Sequence, residues 1–139
     1  MASDTNPVMV DTCVLLDVAT QDPKWFEWSS GALAEAADRG RLIINAVIYA
    51  ELSVGFARIE TLQQILDPQV FDYRPIPREA AFLAGKAFAR YRGQSGAKTR
   101  PLPDFFIGAH ASIESLPLLT RDVKRFTTYF PQLQIIRPS

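Results

Sequence analysis

The chain has 139 residues, 47% of them hydrophobic and 22% charged, with fifteen basic side chains against fifteen acidic ones. That is the size of a single domain able to bury its own core, with the composition of an ordinary soluble globular protein. The net charge of zero excludes a chain-wide basic field, so an anionic partner has to be held by a local patch or a metal ion.

The opening segment, MASDTNP, is polar and lacks a signal-peptide core. No apolar run approaches the ~20 residues of a membrane span. A cytoplasmic protein with no membrane segment is expected. Val8, Met9 and Val10 form a short apolar run that stops at Asp11, after which Val14, Leu15 and Val18 recur at helical spacing. This pattern predicts a buried strand turning into a helix. Asp11 then stands at the carboxyl end of a strand, where open α/β sheets place their ligands. The lone Cys13 excludes a disulfide framework, fits a reducing cytosol and reads as a small buried hydrophobe. Asp17 reads equally as a surface group, a hydrogen-bonding group or a site member.

Gln21-Asp22-Pro23 is a break, with Asp22 able to cap and Pro23 able to start the next helix. That helix runs to about Arg39 and stops at Gly40. Trp25, Trp28, Ala32 and Ala36 share its core-facing stripe; the two tryptophans could also line an apolar groove for a partner. Leu42 to Ile44 is a second buried strand, and Asn45 caps a helix over residues 46–56. Within that helix Glu51 interrupts an apolar face, which is expensive without a partner and marks a candidate ligand or metal position. A helix over 58–66 and a strand over 70–76 follow. The next helix, 78–92, is amphipathic, with Ala80, Ala84, Ala87, Phe88 and Tyr91 inward, and Gly93 as its stop.

Between residues 80 and 103 there is no acid, but Lys86, Arg90, Arg92, Lys98 and Arg100 are present. Lys86, Arg90, Lys98 and Arg100 are candidates for contacting a phosphate backbone, beside the plainer reading as a solvated face. Pro103-Asp104 starts a helix apolar nearly all round, in which Gly108 and Ala111 are expected to leave room beside the Asp104 carboxylate. His110 in that helix reads as structural. Leu118 to Thr120 is a strand, Arg121-Asp122 leads into a short helix, and 133–136 is the closing strand. Strands alternating with helices argue for α/β with a mainly parallel sheet.

Asp11, Asp104 and Asp122 each stand near a helix start, and each alone could be an N-cap. Together with Glu51 at a sheet-edge cleft, four acids would repel one another without a cation. Hard oxygen donors suit Mg²⁺ or Mn²⁺, and such an ion beside basic residues points to phosphodiester cleavage. There is no P-loop or GxGxxG motif, and one histidine with one cysteine cannot build a zinc site.

Four segments, VDTCVLLD, INAVIYAELSVGF, RPLPDFFIGAHA and LLTRDVKRF, resemble in order the four blocks of PIN-domain ribonucleases. More closely, they are similar to VapC-type toxins of toxin–antitoxin pairs. The resemblance implies a three-layer α/β/α sandwich and a Mg²⁺- or Mn²⁺-dependent endoribonuclease acting on RNA. It also implies a homodimer inhibited by a VapB-type antitoxin. The family's acids fall on Asp11, Glu51, Asp104 and Asp122, with Asp11, Asp104 and Asp122 as metal ligands. Its hydroxyl positions beside the site fall on Thr12 and Thr120. Cys13 departs from the Asn or Ser that the family often has there, which reads as a difference in packing. The implied antitoxin groove falls beside the Trp25–Trp28 helix and the 46–56 helix. Two rivals remain at this stage. One is a PIN-like module that binds RNA or protein without cleaving. The other is a receiver-type phosphoacceptor domain, which wants an aspartate after the third strand where Tyr73-Arg74-Pro75-Ile76 stands.

Overall fold

Short runs of Val, Ile, Leu and Met form four of the five strands described, as expected where both faces of a parallel sheet are covered, and Phe71-Asp72-Tyr73 at the sheet edge forms the fifth. The structure, a computed structural model, describes residues 6–95 and 102–139. In chain order these residues form β1 (Val8–Val10), α1 (Thr12–Ala19), α2 (Phe26–Arg39), β2 (Leu42–Ile44), α3 (Ala46–Ser53) and α4 (Ile59–Ile65). They continue with β3 (Phe71–Tyr73), α5 (Arg78–Ser95), α6 (Leu102–Ile113), β4 (Leu118–Leu119), α7 (Val123–Thr127) and β5 (Ile135–Ile136). The five strands make one sheet in the order β3-β2-β1-β4-β5, and every pairing is parallel. Helices cover both faces, giving the three-layer α/β/α sandwich. No helix among the described residues is long and apolar enough to cross a membrane.

The topology decides where a ligand belongs. From β1 the chain moves outward through β2 to β3, then returns to lay β4 against the other side of β1. The switch point therefore lies between β1 and β4, paired through Met9↔Leu118 and Val10↔Leu119. A crevice opens at the carboxyl ends of two such strands. The next residues on each are Asp11 and Thr120.

Two apolar clusters hold this frame. One surrounds the sheet and includes Met9, Val10, Ile43, Ile48, Ile107, Leu118 and Phe126. The other joins Ala80, Ala84, Ala87 and Tyr91 of α5 to Phe105 and Ala109 of α6 and to Tyr129 and Phe130. Phe105 lies edge-on to both Phe88 and Tyr129, with ring centroids 5.5 Å apart in each case. It thereby fixes the start of α6, and Asp104 with it.

Gly93 and Gly108 behave differently from the sequence expectation, while Gly40 stops α2 as expected. Gly93 does not stop α5, which continues to Ser95. Gly40 does close α2, but with extended backbone rather than a left-handed turn; a Cβ there would lie 2.3 Å from the Asn6 carbonyl oxygen. Gly108 makes room for aromatic rings rather than for the carboxylate, since a Cβ would lie 2.5 Å from the Phe130 ring and 3.2 Å from Phe126. The predicted strand 70–76 shrinks to three residues because β2 offers only Leu42, Ile43 and Ile44 as partners. The helix after Asn45 ends at Ser53, short of the expected residue 56.

Gly108→Ala should destabilise the fold by roughly 2 kcal/mol through overpacking against Phe130. Gly85→Ala, in open space on α5, should stabilise it by up to about 1 kcal/mol. Urea unfolding of the two variants checks both signs.

Candidate active site

Asp11 follows β1 directly and is 1% exposed. The Thr120 hydroxyl donates to its Oδ2 at 2.8 Å, and the Cys13 thiol donates to the same oxygen at 3.2 Å. Burial pushes the Asp11 carboxyl above its ordinary value; these two donors and the nearby charge of Arg125 oppose the shift without cancelling it. Burial and the neighbouring Asp11 push the Cys13 thiol up to about 12, so it stays a protonated donor. Cys13 is thus a hydrogen-bonding partner of the carboxylate, more than the packing residue its type suggests. Thr120 has a second task, accepting from the Asp122 backbone N–H at 3.0 Å. One buried hydroxyl therefore ties the end of β1 to the loop after β4.

Asp104 lies in the first turn of α6 and is buried, 6% exposed. Asp122 precedes α7, with its side chain 41% exposed. Arg125, one turn along α7, joins them: its Nη1 is 3.4 Å from Asp104 Oδ1 and its Nη2 is 2.6 Å from Asp122 Oδ2. Burial works against the Arg125 charge, but Asp104, Asp122 and Asp11 together hold its pKa above the usual arginine value. Asp11 and Asp122 occupy N-cap positions, yet neither side chain makes a cap hydrogen bond. Both carboxylates are turned to other partners. Glu51 stands apart from the Arg125 pairings. Its Oε1 accepts from the Thr12 hydroxyl at 2.6 Å, which ties α3 to the start of α1, one residue from Asp11.

The donor chemistry fits a hard divalent cation, since Asp11, Asp104 and Asp122 all supply carboxylate oxygens around one positive charge. As they are arranged, no three His, Cys, Asp or Glu side chains among the described residues form a set that could hold an ion directly. The guanidinium of Arg125 bridges two of the three acids.

A second pair braces the cleft from outside. Asp17 of α1 is buried and accepts from Arg121 Nε at 2.7 Å, Arg121 Nη2 at 2.9 Å and the Ser29 hydroxyl at 2.7 Å. It is a buried structural partner, neither a surface group nor a member of the acidic cleft. The Arg121 guanidinium also lies 5.2 Å from the centroid of Trp25. Trp25 and Trp28 meet edge-on at 6.4 Å, and both are partly buried. Trp25 therefore supports the loop that carries Asp122.

The remaining candidates are dispersed. Lys86 and Arg90 are exposed on α5, over the rings of Phe82 and Tyr129 respectively. Lys98 and Arg100 lie outside the described residues. His110 is buried, with Nδ1 3.0 Å from Asn45 Nδ2, in keeping with its structural reading. Sequence reasoning missed Arg125 and Arg121 as individuals. The three-residue step from Asp122 to Arg125 was a readable signal; Asp17 and Arg121, 104 positions apart, left none.

Two carboxylates give opposite pH responses. Burial pushes the Asp17 pKa up, but the Arg121 and Ser29 hydrogen bonds overcome this and leave it below its ordinary value. Its stabilisation is therefore present above the ordinary carboxylate range and is lost as pH falls through the lower folded value. Asp11, raised by burial, is a penalty at neutral pH that fades as pH falls through its folded value. Arg121→Ala should destabilise by roughly 3 kcal/mol at pH 7, with the deficit shrinking toward pH 3 as Asp17 protonates. Asp11→Asn should instead raise the metal-free melting temperature by roughly 3 °C. Thermal unfolding across pH in EDTA reads both.

A family model for the PIN domain matches residues 8–129. VapBC2 from Rickettsia felis, solved bound to a DNA fragment from its promoter, superposes with a TM-score of 0.71 at 19% identity, covering 94% of this chain and 98% of that one. VapBC-1 from nontypeable Haemophilus influenzae gives 0.70 at 22% identity, covering 94% and 97%. A toxin–antitoxin complex from Klebsiella pneumoniae gives 0.66 at 20%, covering 95% and 98%. At these identities the likeness is one of fold. No curated protein matches the chain. With the family model spanning most of the described frame, from β1 to Tyr129 just past α7, the chain belongs to the PIN-domain family.

Proposed function

We propose that this chain is a VapC-type toxin: a Mg²⁺- or Mn²⁺-dependent endoribonuclease, homodimeric and cytoplasmic, restrained by a VapB-type antitoxin. The observation that carries the reading is the meeting of Asp104 and Asp122 on one cation beside the buried Asp11, at the switch point of the sheet. Acids from three separate parts of the chain are gathered there at an energetic cost that packing alone does not explain. The toxin–antitoxin complexes among the structural neighbours support the antitoxin part of the reading.

In this reading Asp11 and Asp104 are the principal metal ligands and Asp122 adds a third carboxylate at the rim. A bound divalent ion polarises the phosphoryl oxygen and lowers the pKa of a water. The chain supplies the rest. Thr120 and Cys13 hold Oδ2 of Asp11 and so orient the carboxylate. Glu51, fixed by Thr12, completes the acidic set. Lys86 and Arg90, with Lys98 and Arg100, contact the RNA backbone through its phosphates. The partly buried Trp25–Trp28 pair offers the antitoxin an aromatic edge.

The test is cleavage of total RNA by the purified chain. Mg²⁺ or Mn²⁺ should be required, EDTA should stop the reaction, and Asp11→Asn or Asp104→Asn should lower the rate by about a thousandfold while the protein stays folded. Cleavage that persists in EDTA and in Asp11→Asn would sink the proposal. Metal-dependent RNA binding with no turnover would move the chain to the non-cleaving reading.

A further inference from the structure

The role of Arg125 goes beyond a passive ion pair. Its guanidinium reaches two acids on different elements, Asp104 on α6 and Asp122 before α7, and lies within Coulombic range of Asp11. Its two contacts are unequal. The shorter, 2.6 Å, is to the half-exposed Asp122 at the rim; the longer, 3.4 Å, is to the buried Asp104. Asp104 is only 8% exposed at its side chain, whereas Arg125 is 35% exposed. The arginine is thus held more tightly at the half-exposed rim than at the buried acid.

A carboxylate oxygen engaged by a guanidinium N–H is a poorer ligand for an ion, and two cations drawn to one carboxylate repel each other. A divalent ion that takes Oδ1 of Asp104 must therefore displace Nη1, and one that takes the other oxygen still meets the repulsion of the guanidinium. The strong rim contact lets Arg125 keep Asp122 in either case.

We propose that Arg125 is a built-in counter-ion of the acidic cleft, holding Asp104 and Asp122 together in the absence of metal and competing with the divalent cation for Asp104. This rests on the metal-dependent reading above and deepens it: the chain sets its own metal affinity through one side chain. In the metal-free protein Arg125 offsets part of the repulsion among these acids. With it, the cleft stays assembled at low metal concentration, and the ion has to win its place.

The test is calorimetric titration of MnCl₂, and separately MgCl₂, into the EDTA-stripped full-length chain and into Arg125→Gln and Arg125→Lys, at one pH and ionic strength. Arg125→Gln should bind either ion roughly tenfold more tightly than the parent chain. Arg125→Lys, which keeps the charge, should stay within about threefold of the parent. Metal-free Arg125→Gln should melt below the parent and gain more in melting temperature on saturation with Mn²⁺. Equal or weaker binding by Arg125→Gln overturns the counter-ion role, and so does an Arg125→Lys affinity as high as that of Arg125→Gln. Either result leaves the metal-dependent reading standing. No ion binding by any of the three chains overturns both.

Discussion

Asp11 is a buried carboxylate whose direct side-chain partners are a hydroxyl and a thiol, and removing it from water costs more than those two donors return. Much of the surrounding structure answers to that constraint. Thr120 has to be at the end of β4 to reach Oδ2, so β4 has to lie beside β1. The same hydroxyl accepts the Asp122 N–H, which sets the path of the chain into α7 and brings Arg125 back over the acids. The field of Arg125 then eases, without cancelling, the charge buried at Asp11.

The cleft is held by opposite means on its two sides. Outside it, Asp17 is fully matched, by a two-pronged guanidinium and a serine hydroxyl, and acts as a fixed bolt between α1, α2 and the loop after β4. Inside it, one arginine is shared between two acids, through a short contact of 2.6 Å to Asp122 and a longer one of 3.4 Å to Asp104. The aromatic cluster of Phe105, Tyr91, Tyr129 and Phe130 performs the same holding task with apolar contacts, fixing α6 so that Asp104 enters the cleft at a set depth.

What the sequence made legible follows the range of each interaction. The strands, the helix periods, the Asn45 cap and the placement of Asp11 at a strand end depend on neighbours within a turn or a run, and all appear in the structure. The ordered blocks carried the family. Side-chain purpose was harder to read. Gly108 was read against the nearest acid in its own helix, but it answers to Phe130, more than twenty positions on. Gly40 was read as a helix stop, and its smallness answers to Asn6. Asp17 was ambiguous because its partners, Ser29 and Arg121, come from other elements. The N-cap reading of Asp11 and Asp122 was correct in position and wrong in bonding, since Thr120, 109 positions away, claimed the first carboxylate and Arg125, one turn on, claimed the second.

The position of β1 in the sheet has a consequence for when the cleft comes into being. Its two neighbours are β2, which follows within one helical layer, and β4, whose Thr120 is 109 positions beyond Asp11. During synthesis from the amino end, β1 can pair with β2 early, but its other edge waits until β4 has been made. Asp104, Thr120, Asp122 and Arg125 all belong to that late portion. Closing so large a loop is slow compared with local helix formation. A chain made only as far as β2 therefore carries Asp11 without Asp104, Asp122 or Arg125, and the cleft is assembled only after α7 has been made.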